Sequence, residues 1–476
     1  MESLKKYDII IIGGGSGGLT VASGASSLGA RVALIEKEQS LGGDCLHVGC
    51  VPSKAFIQAA KEIYVARHRA TRLGLEVNGQ VSLKQVNERV RQSIETIQEN
   101  DSDEHFISMG VDLYKGLGLF TSDHTVEIKG EEIYGKRIVI STGSRPFIPP
   151  IKGLKDVGYW TNEEIFNQEV LPEKLLVIGG GAIGLELAQA MARLGTQVTI
   201  AERKGALLNN EDESIQKIAL EVLENELAVM FHTEVKKVQL ENGKKTVSIE
   251  KDGETKTLAF DEILVATGRM PNTQLQLEKA GIRKNKAGFI STNEKLQTNI
   301  PHIYAIGDAN GEFLFTHVAG EEGKTVVQNA VLGIPKKMDY SQIPWVIYTD
   351  PEIFHIGLTE NEARKELSVI ATYEVPLEEV DRFVTDHETK GIVKLISDKK
   401  GKIVGAHGIG KGAGDWMQTV IFAMKQGHKV GDLSQMIYPY PNHAAAVQQT
   451  ADLYWREKLF SGFIPKLTEK YIQWFR

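Results

Sequence analysis

The chain carries one strand–turn–helix–strand unit twice, and that repeat limits its architecture more than any other feature. YDIIIIGGGSGGLTVASGASSLGARVALIEKE opens at Tyr7, and LLVIGGGAIGLELAQAMARLGTQVTIAERK opens at Leu175. Each reads as an apolar strand, a glycine turn, a small-residue helix and a second strand, the βαβ unit of a parallel sheet. G-x-G-x-x-G falls at Gly13, Gly15 and Gly18 and again at Gly179, Gly181 and Gly184, 166 positions on. A lone match is weak. Glycine is 47 of 476 residues, so three fixed glycines recur by chance about 0.5 times in such a chain. Context strengthens both matches, because each follows apolar residues, opens a helix and reaches an acid after the next strand. Those acids are Glu36 and Glu202, each 18 residues past the last motif glycine. The glycines allow a tight turn, backbone approach to a pyrophosphate and close helix–strand packing, and the acid suits a ribose hydroxyl pair.

Two dinucleotide units in one chain suggest a flavin and a nicotinamide nucleotide exchanging hydride, hence FAD and NADH. Glu202 repels a 2′-phosphate and favours NADH, whereas Arg203 and Lys204 beside it leave NADPH open. At about 150 residues per domain, the length suggests about three domains. Lys and Arg total 55 against 62 Asp and Glu, a net charge of −7, which disfavours nucleic acid as a partner. No apolar run approaches the roughly 18 residues of a membrane span, and the N-terminus lacks a signal-peptide pattern, so the chain reads as cytoplasmic.

Only two cysteines occur, Cys45 and Cys50, within LGGDCLHVGCVPSK. A helix N-terminus and Lys54, one helical turn past Cys50, lower a thiol's pKa and favour a thiolate. As a staple the pair is poor, since so short a loop removes little unfolded-state entropy. A metal reading with His47 lacks a sequence-adjacent fourth ligand, and no metal site is expected.

GGDCLHVGCVPSK, the two glycine motifs, STGS, VATGR and IYAIGDA together resemble the class I pyridine nucleotide–disulfide oxidoreductases, in the family's order and over nearly the whole chain. The similarity points to the mercuric reductase-like and dihydrolipoamide dehydrogenase-like branches. It implies an α/β fold with two Rossmann-type dinucleotide-binding domains, for FAD and NAD(P), plus a C-terminal α+β dimerisation domain. The implied boundaries are 1–150 for the first FAD-binding part with the redox cysteines, 151–272 for the NAD(P) domain, 273–339 for the central FAD-binding part and 340–476 for the interface domain with its tail. Between the repeats, Ala55 to Gly110 reads as helical.

By the same resemblance, Cys50 is the thiolate facing the flavin and Cys45 the thiol that meets the acceptor. Lys54 lies near flavin N5 with Glu186 as its acidic partner. Thr142, Gly143, Gly268, Asp308, Thr316 and His317 border the cofactors, and a homodimer follows. One departure stands out. Where the family carries His-Pro-x-x-x-Glu, this chain has Tyr440-Pro441 and Ala445. A tyrosine pKa lies about 3.5 units above histidine's, so making it an equivalent base costs roughly 5 kcal/mol. His443 is the nearest substitute. A tyrosine here resembles mercuric reductases, whose soft metal ion needs no proton shuttle. Their C-terminal cysteine pair has no counterpart, however, and the sequence as given begins without their metal-capture domain. The acceptor is therefore a small molecule or a metal ion, with dihydrolipoamide dehydrogenase activity as the alternative. A reading of another class is a flavoprotein docking or membrane-attached subunit with little turnover. The aromatic, basic tail after Trp455 is expected to pack on its own protein rather than on a membrane surface.

Overall fold

A computed structural model of the chain describes residues 4–461 and 464–475. Contacts divide it into two compact units. One comprises Met1–Gly179, Arg193–Ala201 and Glu234–Asp339; the other comprises Gly180–Ala192, Glu202–Thr233 and Tyr340–Arg476.

The first unit is organised by a seven-stranded sheet. Its strands run in the order Val111–Lys115, Val32–Glu36, Lys5–Ile12, Glu131–Ile140, Thr125–Ile128 and Leu119–Phe120, with Ile303–Ala305 also paired to Glu131–Ile140. Lys5–Ile12 pairs in parallel with both neighbours, Ile9 opposite Val32 and Ile10 opposite Ile138. The run Ile9–Ile12 is apolar at every position because both faces of the strand are covered. Ile10 and Ile12 enter one core with Phe120 and Leu275, while Ile9 and Ile11 enter another with Leu19 and Val326. The same unit holds parallel strands Gln197–Ala201, Lys174–Ile178 and Glu262–Val265, from the second repeat. It also holds the antiparallel strands Lys244–Lys251 and Glu254–Phe260.

The helical reading of 55–110 holds only in part. Helices run over Cys50–Tyr64, Leu83–Gln98 and Asp103–Ser108. Between them the chain leaves helical geometry at Gly74, φ 82°, and restarts at Ser82, whose side chain accepts from the Gln85 N–H. Glycines at 74 and 79 and a serine N-cap account for the break.

The second unit is built on a five-stranded antiparallel sheet, in the order Pro344–Ile347, Glu352–Gly357, Ile403–Gly410, Ile392–Asp398 and Ile370–Pro376. One face buries Phe354, Ile356, Val393, Leu395 and Ala406 against Val420, Val447 and Ala451 of helices Gln418–Lys425 and Ala445–Phe460. A last helix, Ile464–Phe475, departs from the expectation of a packed tail: Leu467, Tyr471, Trp474 and Phe475 are exposed in the single chain. No helix among the described residues is long and apolar enough to cross a membrane.

Candidate functional site: a dithiol clamped to a glycine turn

The first glycine turn shows why its outer motif positions are glycine. Gly13 sits at φ 110°, where a side chain would be strained and its Cβ would strike the Ser141 carbonyl. A Cβ on Gly18 would strike the Gly13 carbonyl, so the helix Ser16–Ser27 could not lie as close to the strand. The middle position is open: a Cβ on Gly15 meets nothing nearer than 3.8 Å, and one on Gly181 meets nothing within 4 Å. This pattern of two tight positions around an open one fits a pyrophosphate approaching the backbone. In both repeats the acid closes the turn in the same way. Glu36 accepts the Gly14 and Glu38 N–H groups at 2.7 and 2.8 Å, and Glu202 accepts those of Gly180 and Lys204 at 2.7 and 2.8 Å. A cleft of about 610 Å³ borders the first turn and is lined by Ser16, Leu46, Cys45 and Thr316, among others.

The cysteine segment is held against that turn. Gly42 donates its N–H to the Gly14 carbonyl at 2.8 Å. A Cβ on Gly43, at φ 62°, would lie 2.8 Å from the Gly15 Cα, so only glycine permits this approach. Cys45 belongs to the short helix Gly43–His47, and Cys50 is the first residue of helix Cys50–Tyr64. Both are free thiols, Cys50 the more exposed. His47 donates Nε2–H to the Leu41 carbonyl at 2.8 Å and so stays within its own loop.

The two thiols differ sharply in acidity. A hydrogen bond from Cys45 is the main cause that lowers the Cys50 pKa to about 6; the Thr316 hydroxyl, 3.4 Å away, and the Lys54 charge act in the same direction against burial. Cys45 is pushed up, first by holding its proton toward Cys50 and then by burial. The pair is thus a thiolate beside a thiol. The thiolate of the reduced, flavin-loaded protein is therefore expected to appear as pH rises through about 6 and to be lost below it. Charge-transfer absorbance reads this titration, and a midpoint near the ordinary thiol value of about 8.5 would contradict it.

Residues far apart in sequence join the site by a network that local motifs did not reveal. Arg269 donates to Asp44 at 2.9 Å and to the Ser144 hydroxyl at 2.7 Å, and Ser144 donates to Asp308 at 2.5 Å. Burial pushes the Asp308 carboxyl up. Asp44 and Ser144 flank motif positions already singled out, and Arg269 follows Gly268, but nothing in their spacing announces contact. Thr142 and Asn272 exchange hydrogen bonds at 2.7 and 3.0 Å, which fixes the turn at Gly143. Thr316 opens helix Thr316–Val326 and its carbonyl accepts the Ser16 hydroxyl; His317 stacks on Phe315 at 5.4 Å. Lys54 donates to the Ser53 hydroxyl at 3.3 Å. In the second unit, buried Glu186 accepts the Tyr348 N–H at 2.9 Å.

Tyr440 is 80% exposed and donates its hydroxyl to Asp381 at 2.8 Å. That bond raises its pKa above the ordinary value. His443 is half-buried, with Nε2 3.0 Å from the Asp386 carboxylate, which also meets Lys411 at 3.1 Å.

The pattern has a known match. The sequence model described as "Pyridine nucleotide-disulphide oxidoreductase" matches residues 7–323, and that of its dimerisation domain matches residues 343–451. The chain belongs to the pyridine nucleotide–disulphide oxidoreductase family. It is 35% identical to a mercuric reductase of Staphylococcus aureus, over 94% of this chain and 82% of that protein. It is 34% identical to a dihydrolipoyl dehydrogenase of Buchnera aphidicola, over 98% of this chain and 99% of that protein. Among solved structures, the Cu(II) complex of the HOCl-induced flavoprotein disulfide reductase RclA from Escherichia coli matches with a TM-score of 0.85 and 26% identity, covering 94% of this chain and all of that one. As a pyridine nucleotide–disulphide oxidoreductase, the chain is an FAD-dependent enzyme that uses a pyridine nucleotide, and its C-terminal region is a dimerisation domain.

Proposed function

We propose that this oxidoreductase passes two electrons from NADH to a soft metal ion, with Hg(II) as the acceptor, through Cys50 and Cys45. The observation that carries this reading is the contrast between a ready thiolate and a missing thiol base. Cys50 is held as a thiolate at a helix start. Tyr440, at the family's base position, is raised further from neutrality by Asp381. A disulfide substrate leaves as a thiolate that needs a proton, so its exchange calls for a general acid–base partner. A metal ion binds thiolates directly and needs none. Bound FAD supplies the two-electron relay between nicotinamide and dithiol. The chain's own residues then hold the metal at Cys45 and keep Cys50 anionic, and Hg(II) leaves as Hg(0) while NADH becomes NAD⁺ and a proton. Glu202, its carboxylate held at the turn by the Gly180 and Lys204 N–H groups, repels a 2′-phosphate and so favours NADH over NADPH. Lys54 acts as a positioning residue at the flavin, and Tyr440 faces the partner's dithiol in the homodimer.

Dihydrolipoamide dehydrogenase activity is the second reading, favoured by the similarity to dihydrolipoyl dehydrogenases and by the His443–Asp386 contact. Tyr440→His separates the two. Restoring the family's base is expected to raise lipoamide turnover tenfold or more and to leave Hg(II) turnover within about twofold. An unchanged lipoamide rate would mean that His443 already serves as the base, and the first reading would fall.

A further inference from the structure

The interface sheet carries its apolar core on one face and a polar row on the other. Cross-strand register places Trp345 opposite His355, His355 opposite His407, and His407 opposite Lys394. Residues paired in this way share one face, and the alternate positions Phe354, Ile356, Ala406 and Leu395 fill the core behind them. Such a row would normally face water, yet His355 is 2% and His407 0% exposed. The segment containing Glu211 and Asp212 covers it, and both of those carboxylates are buried too.

Hydrogen bonds fix what these buried rings present. Nε2 of His355 lies 3.0 Å from the Gly357 carbonyl, and Nε2 of His407 lies 3.0 Å from the Leu358 carbonyl. A carbonyl oxygen only accepts, so both Nε2 atoms carry the proton and both Nδ1 atoms present lone pairs when the rings are neutral. Nδ1 of His407 is buried and has no hydrogen-bond partner. Nδ1 of His355 lies 3.0 Å from Glu211 Oε2, a hydrogen bond when the ring is protonated and two facing acceptors when it is neutral, while Glu211 Oε1 is held by the Trp345 indole N–H at 2.7 Å. One ring nitrogen of each histidine and one Glu211 carboxylate oxygen lie within 4.8 Å of one another. Neighbouring charges leave room for a cation. Lys394 is shared by Asp212 and Glu360 at 2.8 and 2.7 Å, and Arg364 pairs with Glu360, so Glu211 is left without either cation.

We propose that Glu211, His355 and His407 bind a divalent metal ion of the zinc class, distinct from the redox dithiol. Two imidazole nitrogens and one carboxylate oxygen form a zinc-type ligand set, and donors around a tetrahedral zinc lie about 3.3 Å apart. Each ring already has the Nε2–H to carbonyl bond that aims a metal-binding histidine. The ion ties the 211–212 segment to strands Glu352–Gly357 and Ile403–Gly410, a structural role. The competing arrangement is an imidazolium–carboxylate pair between His355 and Glu211, which leaves His407 Nδ1 buried and unused.

The test uses flavin-loaded protein whose Cys45 and Cys50 have been alkylated, so that the redox thiols take no metal. After equilibration with Zn(II) and dialysis, elemental analysis is expected to find a zinc ion in each chain that is lost in Glu211→Gln and His407→Gln. Both substitutions leave the surface group Asp123, His124 and His302 untouched. Zinc should raise the unfolding temperature of the parent protein and not that of the variants. No zinc retained by the parent, or equal retention by parent and variants, overturns the proposal. Should a variant fail to hold flavin, the Co(II)-loaded parent decides. Four-coordinate visible bands without thiolate charge transfer support the site, and their absence overturns it.

Discussion

Replacing Cys45 by serine lowers acceptor turnover by about a thousandfold or more while the charge-transfer absorbance of the reduced protein persists. Replacing Cys50 by serine removes that absorbance altogether. The asymmetry follows from the acidities at the site: Cys50 carries the negative charge, and Cys45 holds the proton. Serine at 45 retains a hydroxyl donor toward Cys50, so the anion keeps its principal partner. Turnover is nonetheless lost, because a hydroxyl neither binds a soft metal nor forms a disulfide. Serine at 50 removes the thiolate itself. Difference spectra on the two variants, each reduced anaerobically, read the outcome directly. Charge-transfer absorbance surviving in Cys50→Ser would reverse the assignment of the two thiols.

Gly18→Ala is expected to yield protein with less than about a tenth of the parent's bound FAD. The added methyl meets the backbone carbonyl of Gly13 rather than a side chain that could rotate aside. Overpacking in a well-filled interior costs typically 1–3 kcal/mol, and more when backbone must move. Here the displaced element is the helix whose N-terminus would receive the pyrophosphate, so the cost would fall on cofactor binding as well as on stability. Gly29→Ala serves as the control. Gly29 lies just past the same helix, and a Cβ there meets nothing within 4 Å. Its strain at φ 82° is local to the turn, so that variant should hold FAD normally. The ratio of flavin to protein absorbance measures both, and full flavin content in Gly18→Ala would contradict the packing account.

The parts of this fold that could be read from the sequence are those in which neighbours along the chain are also neighbours in space. Glycine turns, the helix start at Cys50 and the burial of Ile9–Ile12 depend on adjacent residues, and each has a local signature. The match between the Glu36 and Glu202 turns is legible for the same reason, since the acid returns to its own glycine turn. What has no local signature depends on register and on loops closing over long distances. Arg269 joins Asp44 across 225 positions and Ser144 across 125, and Ser144 in turn joins Asp308 across 164; no periodicity encodes such a meeting. The row from Trp345 to Lys394 exists only because separate strands pair in one particular register. The interruption at Gly74 was visible in principle, but the apolar periodicity on either side outweighed two glycines. Ala445 and Tyr440 could be read as departures, whereas the hydrogen bond that pins the tyrosine to Asp381 could not.

The acceptor is the centre of the account, and one steady-state experiment addresses it. NADH oxidation by the flavin-loaded protein is measured with Hg(II) and, separately, with lipoamide as the sole acceptor, then repeated with NADPH. Rapid Hg(II)-dependent oxidation of NADH is expected, with weaker oxidation of NADPH and lipoamide turnover at least about tenfold slower, as follows without a thiol base. Lipoamide turnover matching or exceeding that with Hg(II) would contradict this expectation, and would place the proton-transfer role on His443 and Asp386.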